Sequence, residues 1–336
     1  MQDVALEALG WDEQWAATAA DGAGDPVRVV RHDGVAVLVA GVGGERHVPV
    51  HASNPALAVG DWLLVDGDTV VEVLERRSLL RRRDPAGGDQ LVAANVDVVG
   101  VVCGLDRPLK AGRIERFAVQ TWDAGATPLV VLGKRDLVDD VREAEATAFA
   151  AAPGADVAVV SALSGDGVAE LRSLLEGRTV VFVGESGAGK STLVNALAGE
   201  EVAATGAVRA GDRKGRHTTT ARQLHVLPGP VWLIDSPGLR EVGLWAGVDA
   251  VDDAFDDIAA ISTGCRFRDC SHDTEPGCAV RAAAETGVLE AARLASWRAL
   301  RKEAAAAELR ADPVARRRAG KRFGKMVKEV KEIKRR

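Results

Sequence analysis

The chain has 336 residues, 47% of them hydrophobic and 27% charged, which suits a folded protein of two or three domains with real cores. No apolar run approaches the length of a bilayer span, and the acidic start "MQDVALEALGWDEQW" lacks a basic-then-apolar signal pattern. These features lead to the expectation of a cytoplasmic protein without a membrane span. The net charge of −6 is uneven: residues 316–336 hold eleven Lys or Arg against Glu329 and Glu332, a local +9. An acidic body with a basic arm suits a polyanionic partner, and the same charge also fits a solvated terminal helix.

After an Ala-rich leader, residues 27–77 read as five short strands with turn punctuation at Asp33-Gly34 and Asp66-Gly67. This pattern predicts a small β-barrel, either an OB-fold or a scaffold barrel without a ligand. The run "RRSLLRRRDPAGGDQ" supplies clustered arginines at 81–83 and reads as a Gly/Pro-rich linker. From Val96 onward, apolar strands ("VDVVGVVCG", "PLVVLGKRD", "ADVAVVS", "TVVFVG", "PVWLIDSPG") alternate with helices ("AGRIERFAVQTWDAG", "VREAEATAFAA", "VAELRSLLEG"). That alternation predicts a parallel sheet covered on both faces. Beyond Val248 the sequence turns helical around a Cys/His cluster and ends in the basic arm.

The octet Gly184-Glu185-Ser186-Gly187-Ala188-Gly189-Lys190-Ser191 follows a Val/Phe strand and opens a helix with Thr192 as its next residue. In that context it is a phosphate-binding loop, whose backbone N–H groups turn inward around phosphate oxygens. Lys190 is expected to bridge the β- and γ-phosphates, and Ser191 to hold Mg²⁺. Asp235 and Gly238, in "DSPG" at the end of an apolar strand, can supply a carboxylate to the Mg²⁺ shell and an N–H to the γ-phosphate. Ser-Pro-Gly is also ordinary turn chemistry. Between them "KGRHTTT" can offer Thr219 to Mg²⁺, or be a plain exposed loop.

Upstream, "GKRD" (Gly133–Asp136) is like the Asn-Lys-x-Asp element by which GTPases read guanine, but it precedes the phosphate loop. Asp136 can accept from guanine N1–H and N2–H₂, and the Lys134 stem can lie over the base. Cys265, Cys270, His272 and Cys278 offer three thiolates and an imidazole within fourteen residues, a closed tetrahedral set for one structural Zn²⁺. Buried free cysteines beside a surface His are the alternative. Cys103 lies in an apolar strand and reads as core.

Taken together, "GESGAGKSTL", "GRHTTT", "DSPG", "GKRD", Ser161-Ala162 and "CRFRDCSHDTEPGC" resemble the circularly permuted GTPases of the RsgA (YjeQ) family, from about Val27 to the C-terminus. The resemblance implies a multidomain chain: an OB-fold barrel with leader and linker (1–90), a circularly permuted α/β GTPase domain (91–247), and a helical zinc domain with a basic tail (248–336). It implies hydrolysis of GTP to GDP, stimulated by the 30S ribosomal subunit during late maturation of that subunit, with 16S rRNA as partner. A monomer with no membrane attachment is expected. The resemblance also makes His217 the water-positioning group, because Leu239 stands where many small GTPases carry a Gln. Gly133 departs from the family's usual Asn, so guanine preference with weakened nucleotide binding is expected.

Overall fold

The computed structural model describes residues 5–51, 53–83, 89–201, 222–235 and 246–311. They form two compact units that divide between Leu244 and Trp245.

The first unit opens with a 3-10 turn, Leu6–Leu9, and helix α1, Glu13–Thr18. Asp12 caps α1 by accepting from Trp15 N–H at 2.8 Å. Five antiparallel strands follow: β1 (Asp25–His32), β2 (Ala36–Gly41), β3 (Gly44–Pro49), β4 (Trp62–Asp66) and β5 (Thr69–Val73). Their order is β3-β2-β1-β4-β5. Side chains alternate across a strand, and in β1, β2 and β4 both faces are buried. Val27, Val29, Val37, Val39, Leu63 and Val65 fill one core. Val30, Leu38, Ala40, Trp62 and Leu64, on the other face, join a second core.

The expected linker is instead a hairpin: β6 (Leu79–Arg83) pairs with β7 (Asp89–Ala94). The apolar residues that punctuate its arginines decide this, because Leu80, Val92 and Ala93 are buried in the second core. The strands and helices then alternate as predicted: β8 (Val98–Gly104), α2 (Ala111–Asp123), β9 (Thr127–Gly133), α3 (Arg142–Ala151), β10 (Asp156–Val159), α4 (Val168–Leu175), β11 (Thr179–Val183), α5 (Lys190–Ala198), β12 (Gln223–Leu227) and β13 (Val231–Asp235).

These strands lie in the order β10-β9-β8-β11-β13-β12, parallel except for β12. Val130 and Leu132 of β9 pack with α2 and α3 on one face. Leu129 and Val131 pack with α4 and α5 on the other. The strands that come first in the chain, β8 to β10, occupy the flank of the sheet beyond β11. Moving them behind β13 would give an ordinary doubly wound order, so the spatial sheet is intact and only the connectivity is permuted.

In the second unit, α6 (Val248–Ala254), α7 (Asp256–Ser262), α8 (Ala279–Glu285) and α9 (Ala291–Ala311) enclose a core that includes Val251, Phe255, Ile258, Val280, Leu294 and Trp297. Trp297 Nε1 donates to Asp252 at 3.0 Å, and Arg293 grips Asp257 at 2.6 Å while its guanidinium covers the Phe255 ring.

Strands β1 to β5 and the α/β strands form one sheet, because β1 pairs antiparallel with β12 at Arg31 and Gln223. At that seam Arg28 is 2% exposed. Its Nη1 donates to the Leu9 carbonyl of the leader, and its Nη2 to Thr179 Oγ1 of β11 at 2.7 Å. The guanidinium lies 5.4 Å from the Trp62 ring of β4 and 5.8 Å from the Trp232 ring of β13. Burial pushes its pKa down to about 10, opposed by Asp97, and it remains charged at neutral pH. Replacing Arg28 by Ala leaves a cavity and strands its two acceptors. The expected cost is about 3–5 kcal/mol, read as a lowered urea midpoint; a shift worth under about 1 kcal/mol would show that the seam does not depend on it.

Candidate functional site

The parallel strands place their following loops at one edge of the sheet, where α/β proteins bind ligands. The phosphate loop follows β11, Asp235 ends the neighbouring β13, the Gly133–Asp136 loop follows β9, and Ser161 follows β10. Residues far apart in sequence are thereby collected at one edge.

Within the phosphate loop, Gly184, Gly187 and Gly189 have φ of 142°, 77° and 98°. A Cβ at Gly184 would stand 2.3 Å from the Val102 carbonyl oxygen, a backbone atom of β8, so only glycine fits. Ser186, Ala188 and Ser191 complete the loop, and Thr192 lies in the first turn of α5. Ala188 N–H donates to the Glu185 carbonyl at 3.2 Å. Lys190 Nζ donates to the Gly184 and Glu185 carbonyls at 2.7 and 2.6 Å, which lays the ammonium across the loop it serves. Lys190, Ser191 and Asp235 line one cleft beside Phe182. That set of a hydroxyl and a carboxylate suits Mg²⁺, a hard cation that takes oxygen ligands.

In the loop that follows β9, Lys134 sits in the left-handed region with φ 62°. Asp136 accepts from Ser161 Oγ at 2.5 Å, and Arg135 N–H donates to the Val160 carbonyl at 3.1 Å. Ser161 is buried, with its N–H on the Asp166 carbonyl. The Ser161-Ala162 turn therefore holds the carboxylate of Asp136 in place. His217, Thr219 and Gly238 lie outside the described residues.

Two residues of the site carried no motif. Asp106 and Arg107 follow β8, and Asp106 bonds both Arg107 at 3.0 Å and Lys134 at 2.9 Å. Hydrogen bonds from Arg107 and Lys134 pull the Asp106 carboxyl down to about 2. The signal was the position of "LDRP" after an apolar strand, but nothing in the sequence says that this strand lies between β9 and β11.

In the second unit, Cys265, Cys270, His272 and Cys278 bring one ligand atom each to within 4.8 Å of one another. Cys265 Sγ and Cys278 Sγ are 4.0 Å apart, and His272 Nδ1 lies 3.6 and 3.4 Å from them. A tetrahedral Zn²⁺ with bonds of about 2.3 Å to sulfur needs edges of roughly 3.8 Å, so the set fits. Burial, the largest influence, holds the His272 imidazole below its ordinary pKa and hence neutral, as a ligand must be. His272 has φ 60°, and its carbonyl accepts from Arg298. Its loop is organised by Glu275, a residue the sequence did not single out, whose carboxylate accepts from the N–H groups of Ser271, Asp273 and Thr274 at 2.9, 3.0 and 3.2 Å.

Two solved structures share the fold: YjeQ from Thermotoga maritima, with TM-score 0.62 and 24% identity over 83% of this chain and 98% of that one, and YloQ, described as a circularly permuted GTPase, with TM-score 0.57 and 21% identity over 84% and 96%. In sequence, the chain is 42% identical to the small ribosomal subunit biogenesis GTPase RsgA 2 of Vibrio parahaemolyticus, over 92% of this chain and 87% of that protein. It is also 42% identical to the RsgA of Streptomyces coelicolor, over 98% and 96%. The model of the RsgA GTPase family matches residues 73–245, and with these relatives it shows that the chain belongs to the RsgA GTPase family.

Proposed function

We propose that this chain is a GTP hydrolase that acts on the small ribosomal subunit during its biogenesis. The observation that carries the reading is the meeting, at one sheet edge, of a phosphate loop with an Asp136 carboxylate fixed by Ser161. Adenine lacks the two donors that Asp136 accepts, so it would leave a carboxylate unpaired. An ATPase or kinase has no use for that arrangement. The names of the relatives point to the small ribosomal subunit as the partner.

In this reading Lys190 neutralises charge on the β- and γ-phosphates while Gly184 to Thr192 supply N–H and hydroxyl groups. Ser191 and Asp235, joined by Thr219, would hold Mg²⁺, which supplies charge neutralisation at the leaving phosphate oxygens. Gly238 offers an N–H to the γ-phosphate, and His217 orients the attacking water. The Cys₃His set would hold a Zn²⁺ that ties the helical unit together and takes no part in the reaction. The strand order β3-β2-β1-β4-β5, with β3 and β5 also close, supports an OB-fold for the barrel. On this basis the chain has three parts, with borders near 90 and 247. The arginines at 81–83 and the basic segment 316–336 suit 16S rRNA phosphates. We take the protein to be a cytoplasmic monomer.

Hydrolysis measured with and without 30S subunits tests the whole reading. GTP should be cleaved, the subunits should accelerate it, and ATP should compete at least about a hundredfold more weakly than GTP. Equal competition by ATP would sink the guanine assignment, and turnover indifferent to 30S would sink the partner. His217→Ala should lower stimulated turnover by about a hundredfold or more while GTP affinity stays; unchanged turnover would remove His217 from the mechanism. Chelating zinc should lower the melting temperature of the C-terminal unit and leave GTP binding in place. Loss of GTP binding on chelation would contradict a purely structural metal.

A further inference from the structure

Strands β9 and β11 are not neighbours; β8 lies between them. The base-reading loop and the phosphate loop must nevertheless be held a fixed distance apart, because both ends of one nucleotide depend on them. The shortest route is closed off by the sequence. At Gly133 a Cβ would point at the Ala188 carbonyl of the phosphate loop from 3.6 Å, in ordinary contact, and glycine puts no atom there. Gly133 does not adopt a left-handed φ, so the backbone itself does not demand glycine.

A longer route is present. Lys134 Nζ pairs with Asp106 at 2.9 Å, Asp106 with Arg107 at 3.0 Å, and Arg107 with Glu185 at 3.5 Å. Lys110 reaches Glu185 at 3.2 Å, and Arg113 contacts it as well. Those two cations belong to the start of α2, whose N-terminal end itself favours a carboxylate. Each strand contributes one link: Lys134 follows β9, Asp106 and Arg107 follow β8, and Glu185 follows β11. The backbone supports the same path, since Leu105 N–H donates to the Gly133 carbonyl at 2.9 Å.

We propose that the ion chain Lys134–Asp106–Arg107–Glu185 is a positioning brace that holds the base-reading and phosphate loops in register, in place of a direct side-chain bridge from position 133 to Ala188. Asp106 and Arg107 act through Lys134 and Glu185 and need touch no nucleotide. The brace keeps the Lys134 ammonium on Asp106 while its aliphatic stem remains available to the base. An isolated surface pair would add little, but three cations on one carboxylate, continued through Asp106, form a network. Its members are 26–42% exposed, so its strength should fall with salt.

The inference rests on the guanine-nucleotide reading of the site, and calorimetric titration with GDP separates the two. If the unsubstituted protein binds no GDP, the functional reading fails and the brace with it. If it binds, Arg107→Met should raise Kd about fivefold at about 0.05 M KCl and much less at about 0.5 M, where the brace is screened. Asp106→Asn should behave in the same way. Gly133→Asn, which offers an amide to Ala188, should return the Arg107→Met protein to within about twofold of the original and change the unsubstituted protein little. Should Gly133→Asn fail to fold, Gly133→Ser supplies a hydroxyl at the same place. Unchanged Kd in both the Arg107 and Asp106 variants would overturn the brace. So would a Gly133 effect that is the same with and without Arg107, because a residue that touches the nucleotide directly cannot be replaced from position 133.

Discussion

A guanidinium taken out of water loses hydration worth several kcal/mol, and it stays charged inside a protein only where fixed acceptors and aromatic faces replace that water. Arg28 is in that position. Leu9 and Thr179 accept its protons, Trp62 and Trp232 cover it, and Asp97 adds an opposing charge. Its partners come from the leader, β4 and two strands of the α/β part. None of these partners can shift without leaving a buried charge exposed to an apolar wall. The leader is fixed further by Trp232 Nε1, which donates to the Ala8 carbonyl at 2.8 Å, and by Trp11 packed edge-on against Trp62 at 4.7 Å. Asp97 also accepts from the Thr179 N–H at 2.7 Å, so the start of β11 is held from two sides. That strand runs from Thr179, where Arg28 holds it, to Val183, after which the glycine-rich loop begins.

The site itself is assembled from loops that no single strand pair connects. Backbone hydrogen bonds join adjacent loops, Arg135 N–H to the Val160 carbonyl and Leu105 N–H to the Gly133 carbonyl, whereas charged side chains carry the connection on to the phosphate loop. Ser161 fixes Asp136 through a hydroxyl, and the carbonyls of Gly184 and Glu185 fix Lys190. The links that run across β8 are ionic and partly exposed. This division has a simple origin: parallel neighbours pair along their length, but the loops beyond their ends have no ladder to share.

Much of this was legible in the sequence, though unevenly. The phosphate loop was readable because glycine spacing and a following helix are local properties, although the clash that demands glycine at 184 comes from Val102 of β8. The Cys/His set was readable because all four ligands fall within fourteen residues. The hairpin of β6 and β7 was not, since its arginines and the Gly/Pro stretch masked the buried Leu80 and Val92. The leader was passed over for the same reason: Leu9 and Trp15 enter the core singly, without a period to announce them. Arg28 gave no sign of burial, because an arginine between valines in a strand reads as the solvent face.

The sequence by itself determined most of the alternating elements from Val96 to Ala198, the glycine-rich loop before α5 and the Cys/His cluster, because each depends on neighbours a few residues away. It also contained the permuted motif order. Only the tertiary structure decided that β8 lies between β9 and β11, and therefore that Asp106 and Arg107 stand between Lys134 and Glu185. It alone decided that β1 carries a buried charge and continues into β12. Strand neighbours are chosen by packing and pairing over long chain separations, and no local pattern encodes that choice.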